Sequence, residues 1–301
     1  MDFKHQKFLI LGISKSGSSA TEFLLRHGAK CYIYEELKIP KVMESIERLI
    51  TLGAVKAEPL QIDRILPEID VVVMSPGIPI NHEIAVKAKN AKKRIIGELE
   101  LGFASFNPVT VAVTGTNGKT TTVSLIDAIL ESAGIKKQLV GNVGIPVTKV
   151  IDEAGKDDIY VAEVSSFQLE TVSSFAPHIA CVLNISPDHL ERHYTFENYV
   201  FLKKRIFQNQ RESEYAILNF DDPIVKGFAE EIKSKPIFVS LKERTNGGYE
   251  ENGKLYYKGE YILDRTDLAL SGEHNVYNAL FAVCACKLLG VNSEDIREGL
   301  I

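Results

Sequence analysis

Residues Val109 to Val123 read VTVAVTGTNGKTTTV, and this stretch decides the fold of the middle of the 301-residue chain. A β-branched apolar run, VTVAV, comes first, then a glycine-containing loop, and then the helical pattern VSLIDAILESAG. Glycines let the backbone turn tightly enough for several N–H groups to face one anion, and the helix start adds the positive end of its dipole. The order strand, glycine loop, helix therefore predicts a phosphate-binding loop.

The side chains of this loop suggest an ATP site. Lys119 is expected to reach the β- and γ-phosphates, and the Thr120 hydroxyl is expected to ligate Mg²⁺. The spacing G-x-x-G-K-T is tighter than the common P-loop, whose first glycine position is occupied here by Val113. A plain turn with a chance lysine is the alternative, which the flanking strand and helix disfavour. The other predicted ATP-binding residues of the loop are Gly115, Thr116, Asn117, Gly118 and Thr121.

Composition is that of a globular protein, with 45% apolar and 25% charged residues. The net charge of −5 argues against broad nucleic-acid binding and leaves room for a local phosphate pocket. No apolar run approaches the ~20 residues of a membrane helix, and the opening MDFKHQKFLILGISKSG reads as a strand, not a signal peptide. We expect a cytoplasmic protein without nucleic-acid or membrane partners, whose cysteines are buried and reduced: Cys31, Cys181, Cys284 and Cys286.

Residues 1–105 are predicted to form a Rossmann-like domain with a parallel sheet. The strand KFLILG, the helical pattern SKSGSSATEFLLRHGA and the strand KCYIYEE make a βαβ opening. Its turn, residues 12–17, matches the dinucleotide fingerprint G-x-G-x-x-G except that Ser14 replaces the middle glycine. This change argues against an NAD-dependent dehydrogenase. It leaves open whether Ser14, Lys15 and Ser16 bind a phosphate or the loop only packs the helix on the strand.

The rest of this domain continues the alternation of helix and strand. A helix around KVMESIERLITLG leads to the buried strand of IDVVVMSPGIP, whose carboxyl end carries the turn Ser75-Pro76-Gly77. Ligands of open α/β sheets bind at such strand ends. HEIAVKAKNAKK is predicted as a helix, RIIGELE as a last short strand, and FASFNP as a linker, which places the domain boundary near Phe106.

Residues 106–301 are predicted to form a P-loop ATPase-like domain with a mostly parallel sheet. Strand patterns recur in VTVAV, KQLVGNVG, IYVAEVSS, HIACVLNISPDH, YAILNFDD and KPIFVSL, with helical or irregular segments between them. GGYEENGKLYYKGEYIL carries the Asn-Gly and Lys-Gly signals of hairpins and is expected to form a small antiparallel addition. SGEHNVYNALFAVCACKLLG reads as a helix with an apolar stripe.

Three further groups of polar residues are candidates for the site. Glu163, at the end of the strand after the loop, is expected to be a second Mg²⁺ ligand, with a surface glutamate as the alternative. His189 and His193 are four apart and would share a helix face, although H-L-E-R-H is not a zinc-protease motif and a packed histidine is the competing interpretation. Asn275 and Asn278 offer the donor and acceptor that an adenine edge needs, or else cap the helix.

Six motifs together resemble those of the Mur ligases of peptidoglycan synthesis. They are TGTNGKTT, GNVG, AEVSSFQLE, NISPDHLERH, KKRIF and GEHNVYN, in this order and at these separations. The form S-S-F-Q-L-E resembles the branch of the family that adds D-glutamate to UDP-N-acetylmuramoyl-L-alanine. The resemblance implies an ATP-dependent carboxylate–amine ligase that works through an acyl phosphate and uses two Mg²⁺ ions.

The resemblance also implies roles for individual residues. Thr120 with Glu163 would hold the first Mg²⁺, and His189 with a carbamylated Lys203 would hold the second. By itself the pair Lys203 and Lys204 would read as a solvated helix face. Asn275 and Asn278 match the adenine-reading pair. Asn142, Ser165 and Gln168 match residues that face the muramoyl and phosphate portion, and the UDP cradle matches Ser14, Lys15, Ser16, Ser75, Pro76 and Gly77.

Two departures from the family pattern bear on function. The family has a third domain that binds the amino acid and closes on ATP, and the resemblance implies that it is absent after Ile301. We therefore expect this chain, as a monomer, to bind nucleotide and UDP-sugar without completing ligation. Glu36 stands where the related enzymes offer a hydroxyl to the uridine. The alternatives are another Mur ligase or a folylpolyglutamate synthase, which F-Q-L-E disfavours, and a P-loop module without ligase activity.

Overall fold

The computed structural model describes residues 3–155 and 157–301, and its chain divides into two compact units. The N-terminal unit comprises Met1–Asn107, Ile145–Glu153 and Glu170–Phe175. The second unit comprises Pro108–Gly144, Ala154–Leu169 and Ala176–Ile301. Two short segments from the middle of the chain thus belong to the N-terminal unit.

The N-terminal unit contains one five-stranded sheet in the order β3-β2-β1-β4-β5, in which every pair of neighbours is parallel. Its strands are β1 Lys7–Leu11, β2 Lys30–Tyr34, β3 Val55–Lys56, β4 Val71–Met74 and β5 Arg94–Ile96. Its helices along residues 1–107 are α1 Lys15–Arg26, α2 Pro40–Thr51, α3 Ile62–Ile65, α4 Glu83–Asn90 and α5 Glu98–Ser105. The predicted parallel Rossmann-like sheet is confirmed. Among the strands only the two-residue β3 was not predicted from the sequence, and the short helix α3 was not predicted either.

The prediction for the segment after β5 was wrong. RIIGELE was predicted as a strand and FASFNP as a linker, whereas β5 ends at Ile96 and α5 runs from Glu98 to Ser105. The physical reason is that Glu98 and Glu100 are buried, although glutamates normally stay on the surface. Each is bonded to a segment far away along the chain, which no local pattern reveals.

Glu98 is held by the segment Ile145–Glu153. Its Oε1 accepts hydrogen bonds from the Thr148 amide at 2.7 Å and from the Thr148 hydroxyl at 2.8 Å. Burial raises the pKa of Glu98 to about 7, and the two Thr148 bonds oppose the increase.

Glu100 is held by the segment Glu170–Phe175. Its carboxylate accepts bonds from the amides of Ser173, Ser174 and Phe175 and from both serine hydroxyls, at 2.6 to 3.0 Å. Burial raises the pKa of Glu100, but the bonds from Ser173 and Ser174 outweigh it and hold the pKa below its usual value. This carboxylate is therefore a fully bonded anion inside the unit.

The second unit contains one nine-stranded sheet, and helices occupy most of its remaining regular structure. The strands are β6 Thr110–Thr114, β7 Lys137–Gly141, β8 Ile159–Glu163, β9 Ile179–Val182, β10 Tyr215–Asn219, β11 Lys235–Ser240, β12 Gly248–Glu251, β13 Lys254–Tyr257 and β14 Glu260–Asp264. The helices are α6 Lys119–Ser132, α8 Ser166–Leu169, α9 Leu190–His193, α10 Phe196–Lys204, α11 Pro223–Gly227, α12 Glu273–Leu288 and α13 Ser293–Leu300, while α7 Val147–Val150 lies in the N-terminal unit.

The sheet order is β14-β13-β12-β11-β10-β9-β6-β8-β7. Strands β6 to β11 pair in parallel, which confirms the six predicted strands. The antiparallel addition is a run of three strands, and β12 joins β11 in parallel, so it extends the main sheet. Its two turns carry positive φ at Asn252-Gly253 and Lys258-Gly259, as the hairpin signals predicted.

The core of the second unit lies between the sheet and the helices α6 and α12, with buried Val, Ile and Leu side chains from both. The four cysteines of the chain are free and buried, as predicted. Across residues 3–155 and 157–301, no helix has both the length and the apolar character that a membrane crossing requires.

Candidate active site

The predicted phosphate loop is a tight turn between β6 and α6. The strand ends at Thr114, residues 115–118 form the turn, and α6 begins at Lys119. Gly118 has φ +86°, a left-handed conformation that favours glycine. The first amides of α6 have no partners within the helix and carry the positive end of its dipole, so this turn suits an anion. Thr120 and Thr121 follow Lys119 in the first turn of α6.

Two lysines converge on this loop. The Lys119 ammonium donates to the carbonyl oxygens of Gly115 at 2.9 Å and Thr116 at 2.8 Å. The Lys203 ammonium, from the last turn of α10, donates to the same Gly115 oxygen at 2.7 Å. Lys203 is 2% exposed, so it does not belong to a solvated face, whereas its neighbour Lys204 pairs with Glu231.

The electrostatics of the two lysines follow from their burial. Burial lowers the pKa of Lys119, although Glu163 and Asp188 act to raise it. Burial, followed by repulsion from Lys119, lowers the pKa of Lys203 to about 7, against the attraction of Asp188. Both ammonium groups are therefore less stable here than in water, and Lys203 is partly neutral near pH 7.

Glu163 lies beside the loop because β8 pairs with β6 in parallel, with Val113 opposite Glu163. Its Oε2 accepts a hydrogen bond from the Thr120 hydroxyl at 2.7 Å, and its Oε1 accepts one from the Asn142 amide group at 2.7 Å. Glu163 is 2% exposed. A hydroxyl and a carboxylate oxygen at this spacing are the hard ligands that Mg²⁺ prefers, so the residues present fit the predicted ion.

The two histidines differ in exposure, although both rings lie against the Phe167 ring, with centroids 5.1 and 5.2 Å away. Helix α9 is a single turn, and His189 precedes it with φ 51°, half-exposed beside Asp188 and Glu191. His193 is 1% exposed, with Nε2 3.0 Å from the Ser166 hydroxyl, and burial lowers its pKa to about 4. Within the described part of the chain, no three His, Cys, Asp or Glu side chains form a ready metal cluster.

The asparagine pair lies at the start of α12. Asn278 donates through Nδ2 to Oδ1 of Asn275 at 3.2 Å, and its own Oδ1 accepts from the Thr122 hydroxyl at 3.2 Å. Asn275 donates to the Ser271 carbonyl at 2.8 Å. The two amides are neighbours, as their spacing predicted, and Asn278 lies against the phosphate-loop helix α6.

Ser165 and Gln168 lie two and five positions after Glu163 and bond to each other. The amide and the hydroxyl of Ser165 both donate to Oε1 of Gln168, at 3.0 and 3.1 Å. Gln168 is buried and Ser165 is half-buried. The short helix α8 therefore begins with a fixed polar turn beside the carboxylate.

The predicted UDP cradle is partly assembled inside the N-terminal unit. The Ser14 hydroxyl donates to the Ser75 hydroxyl at 3.3 Å, and Ser75 donates to the Gly12 carbonyl at 2.7 Å. Ser75 is thus a buried tie between the two turns, while Gly77 is exposed and Ser16 and Pro76 are half-buried. Ser14 and Lys15 line a cleft of about 570 Å³, whose other basic lining residues are Lys41, Arg48 and Lys149.

Some contacts of the site were missed at the level of sequence. Asn184, at the end of β9, accepts the Asn117 amide at 2.9 Å and donates back to the Asn117 carbonyl at 3.0 Å. The Tyr199 hydroxyl lies 3.2 Å from that of Thr116, and the Tyr199 ring lies under the Lys203 ammonium. In the N-terminal unit, Glu35 accepts the Ile13 amide at 2.6 Å. The position of Asn184 at a strand end, where ligands gather, was the available signal.

Comparisons with known proteins match both units. Residues 113–286 match the Mur ligase middle domain, and residues 6–97 match the MurD-like N-terminal domain of Mur ligases. The chain is 41% identical over 307 residues to the UDP-N-acetylmuramoylalanine–D-glutamate ligase of Caldanaerobacter subterraneus subsp. tengcongensis, which covers 100% of this chain and 67% of the relative.

Two solved structures share the fold. The UDP-N-acetylmuramate:L-alanyl-gamma-D-glutamyl-meso-diaminopimelate ligase from Neisseria meningitides aligns with TM-score 0.67 at 17% identity, over 98% of this chain and 97% of that chain. The MurF ligase from Thermotoga maritima in complex with ADP aligns with TM-score 0.56 at 17% identity, over 89% of this chain and 62% of that chain. At these identities the structures establish the fold alone. With the domain matches and the 41% identical relative, they lead to one conclusion: the chain belongs to the Mur ligase family.

Proposed function

We propose that this chain acts in the ATP-dependent ligation of D-glutamate to UDP-N-acetylmuramoyl-L-alanine, a step of peptidoglycan synthesis. A relative that is 41% identical over the whole chain is named for this reaction. The observation that carries the proposal is the phosphate loop, where Lys119 borders the turn and the Thr120 hydroxyl is bonded to Glu163. This arrangement suits a metal-bound triphosphate.

ATP would place its phosphates on the backbone amides at the start of α6. Lys119 would exchange its bonds to the Gly115 and Thr116 carbonyls for the β- and γ-phosphate oxygens. Asn275 and Asn278 would lie at the adenine. The related MurF ligase with bound ADP supports nucleotide binding by this fold.

Two Mg²⁺ ions belong to the proposal, and when bound they would neutralise phosphate charge and polarise the γ-phosphate. Thr120 and Glu163 would hold the first, supported by their 2.7 Å contact. His189 and a carbamylated Lys203 would hold the second. Carbamylation joins the neutral Lys203 amine to CO₂ with loss of one proton, and it replaces a repelling cation with a carboxylate-like ligand. The lowered pKa of Lys203 supports this step.

The ligation would proceed in two steps. The alanyl carboxylate of the UDP-sugar attacks the γ-phosphorus, so that a carboxylate O–P bond forms, the β,γ-bridging bond breaks and ADP leaves. The amine of D-glutamate then attacks the acyl carbon, the C–O bond to phosphate breaks, and phosphate leaves as the nitrogen loses a proton. Lys119 would stabilise the negative charge that develops on the transferred phosphoryl group.

The substrate contacts in the proposal come from several loops. In the N-terminal unit, Ser14, Lys15 and Ser16 with the turn 75–77 would hold the UDP end. Lys41 and Lys149 line the cleft beside Lys15 and support an anionic ligand there, while Arg48 is paired with Glu22. In the second unit, Asn142, Ser165 and Gln168 would face the muramoyl and phosphate portion. The substrates are charged and water-soluble, so the proposal places the reaction in the cytoplasm. The chain would act as a monomer without a membrane partner.

Calorimetry tests the proposal directly. The chain is titrated with UDP-N-acetylmuramoyl-L-alanine, with ATP and Mg²⁺, and with NADH. We expect the first two to bind and NADH not to bind. Binding of ATP without the UDP-sugar would favour the P-loop module without ligase activity, and tight binding of NADH alone would overturn the proposal.

A further inference from the structure

Asn278 is buried against the phosphate-loop helix, unlike its neighbour Asn275. The Asn278 side chain is 4% exposed, whereas Asn275 is half-buried. The Asn278 Oδ1 accepts the Thr122 hydroxyl, and its Nδ2 donates to Asn275, both at 3.2 Å. An amide group has two N–H donors and two acceptor sites, so half of each capacity is already used inside the protein.

The same carboxamide also touches the loop backbone. A Cβ placed on Gly118 would lie only 2.4 Å from Oδ1 of Asn278, so the two groups are in close contact. The Thr122 amide in turn donates to the Gly118 carbonyl at 2.9 Å. Asn278 is therefore packed on the last residue of the loop and bonded to the first turn of the helix that follows it.

We propose that Asn278 is a positioning residue for the phosphate loop, and that it supports triphosphate binding even when no base is present. The inference rests on the proposed nucleotide site and goes beyond a shared adenine-reading role for the asparagine pair. Asn275 presents the more accessible amide to the base. Asn278 holds the left-handed turn at Gly118 through its contact and through Thr122.

The physical reason is the geometry that phosphate binding requires. Several loop amides must face one anion at once, and the turn at Gly118 sets their direction. Truncation of Asn278 would remove the surface that Gly118 rests on and leave the fully buried Thr122 hydroxyl without this bond. Loss of a buried hydrogen bond and of packing both loosen such a turn.

Magnesium tripolyphosphate separates the two roles because it carries three phosphates and no base. Calorimetry on the full chain measures the affinity for magnesium tripolyphosphate and for ATP with Mg²⁺. The proteins compared are the wild type, Asn278→Ala, Thr122→Val and Asn275→Ala. We expect Asn278→Ala to lower the affinity for both ligands by about tenfold or more. Thr122→Val removes the hydroxyl that bonds to Asn278, and Thr122 has no proposed contact with the base. This variant should therefore also bind both ligands with lower affinity. Asn275→Ala should lower the affinity for ATP and leave the affinity for tripolyphosphate within about twofold of the wild type.

Hydrogen exchange of residues 115–122 without ligand gives a second readout. The amides should exchange faster in Asn278→Ala and Thr122→Val than in Asn275→Ala. Unchanged tripolyphosphate affinity and unchanged exchange in Asn278→Ala would overturn the proposal and leave a base-reading role only. If Asn278→Ala does not fold, as judged by thermal melting, Thr122→Val decides by the same criteria. Failure of the wild type to bind ATP would instead count against the proposed function.

Discussion

The ammonium groups of Lys119 and Lys203 share one acceptor, the Gly115 carbonyl oxygen, at 2.9 and 2.7 Å. Burial is the main cause of the lowered pKa of Lys203, and repulsion between the two cations on this carbonyl lowers it further. A bound triphosphate would relieve this repulsion at Lys119. The loop is thus electrostatically suited to an anion, and Lys203 is suited to chemistry that needs a neutral amine.

Lys203 should react with CO₂ far more readily than an ordinary lysine. Burial lowers the pKa of Lys203 to about 7, so far more of its side chain is neutral near pH 7 than for an ordinary lysine, and the neutral fraction grows as the pH rises. Carbon-13 NMR of the chain in labelled bicarbonate at pH 8 should show a carbamate signal. The signal should vanish in Lys203→Arg and persist in Lys204→Arg. An unchanged signal in Lys203→Arg would remove the carbamate from this residue.

Replacing Glu163 should weaken metal-dependent nucleotide binding. Glu163→Gln keeps the shape but loses the charge that would hold Mg²⁺ beside Thr120. We expect the affinity for ATP with Mg²⁺ to fall on the order of tenfold or more, which is about 1.4 kcal/mol. The matched control is Glu212→Gln at an exposed position of the same unit. Equal affinities for the two variants in calorimetry would speak against Glu163 as a metal ligand.

Gly118→Ala should abolish most nucleotide binding through a steric clash. Its new Cβ would meet Oδ1 of Asn278 at 2.4 Å, and its φ is +86°. Gly134→Ala is a matched control, because φ is +64° there and nothing lies within 4 Å of the added atom. Both variants carry a left-handed backbone cost of about 1–2 kcal/mol. Only Gly118→Ala should lose ATP affinity, and loss of affinity in both would show that the contact with Asn278 is not the cause.

Glu98 should make the protein less stable as the pH rises. Its folded pKa of about 7 lies above its ordinary value of 4.5, so between these values the folded state holds more protons than the unfolded state. The free energy of unfolding then falls from pH 4.5 to pH 7, by at most about 3 kcal/mol.

The amide in Glu98→Gln does not ionise, so this variant should not lose this stability as the pH rises. The free energy of unfolding of Glu98→Gln minus that of the wild type should therefore be larger at pH 8 than at pH 5. Urea unfolding at the two pH values measures this difference. Glu44→Gln, at an exposed position on α2, should show no such shift. A stability difference between Glu98→Gln and wild type that is the same at both pH values would contradict the burial effect.

Local pattern was sufficient to predict the strand, the glycine turn and the helix that begins at Lys119. The run VTVAV and the glycines act over a few neighbouring residues, so strand, turn and helix follow from sequence. Thr120 and Glu163 meet because parallel strands end at one edge of the sheet, which topology alone implies.

Long-range burial explains what was missed. In FLKKRIF nothing local distinguishes Lys203, buried beneath the loop, from Lys204, paired with Glu231 at the surface. The helix α5 was missed for the same reason, because the partners of Glu98 and Glu100 lie 50 to 75 residues further along the chain.

The most direct test of the central claim is a crystal structure of the chain with Mg²⁺ and a non-hydrolysable ATP analogue. We predict that the triphosphate lies on the backbone amides at the start of α6, with Lys119 on its β- and γ-phosphates and the metal between Thr120 and Glu163. A nucleotide bound elsewhere, with this turn free of phosphate, would contradict the account.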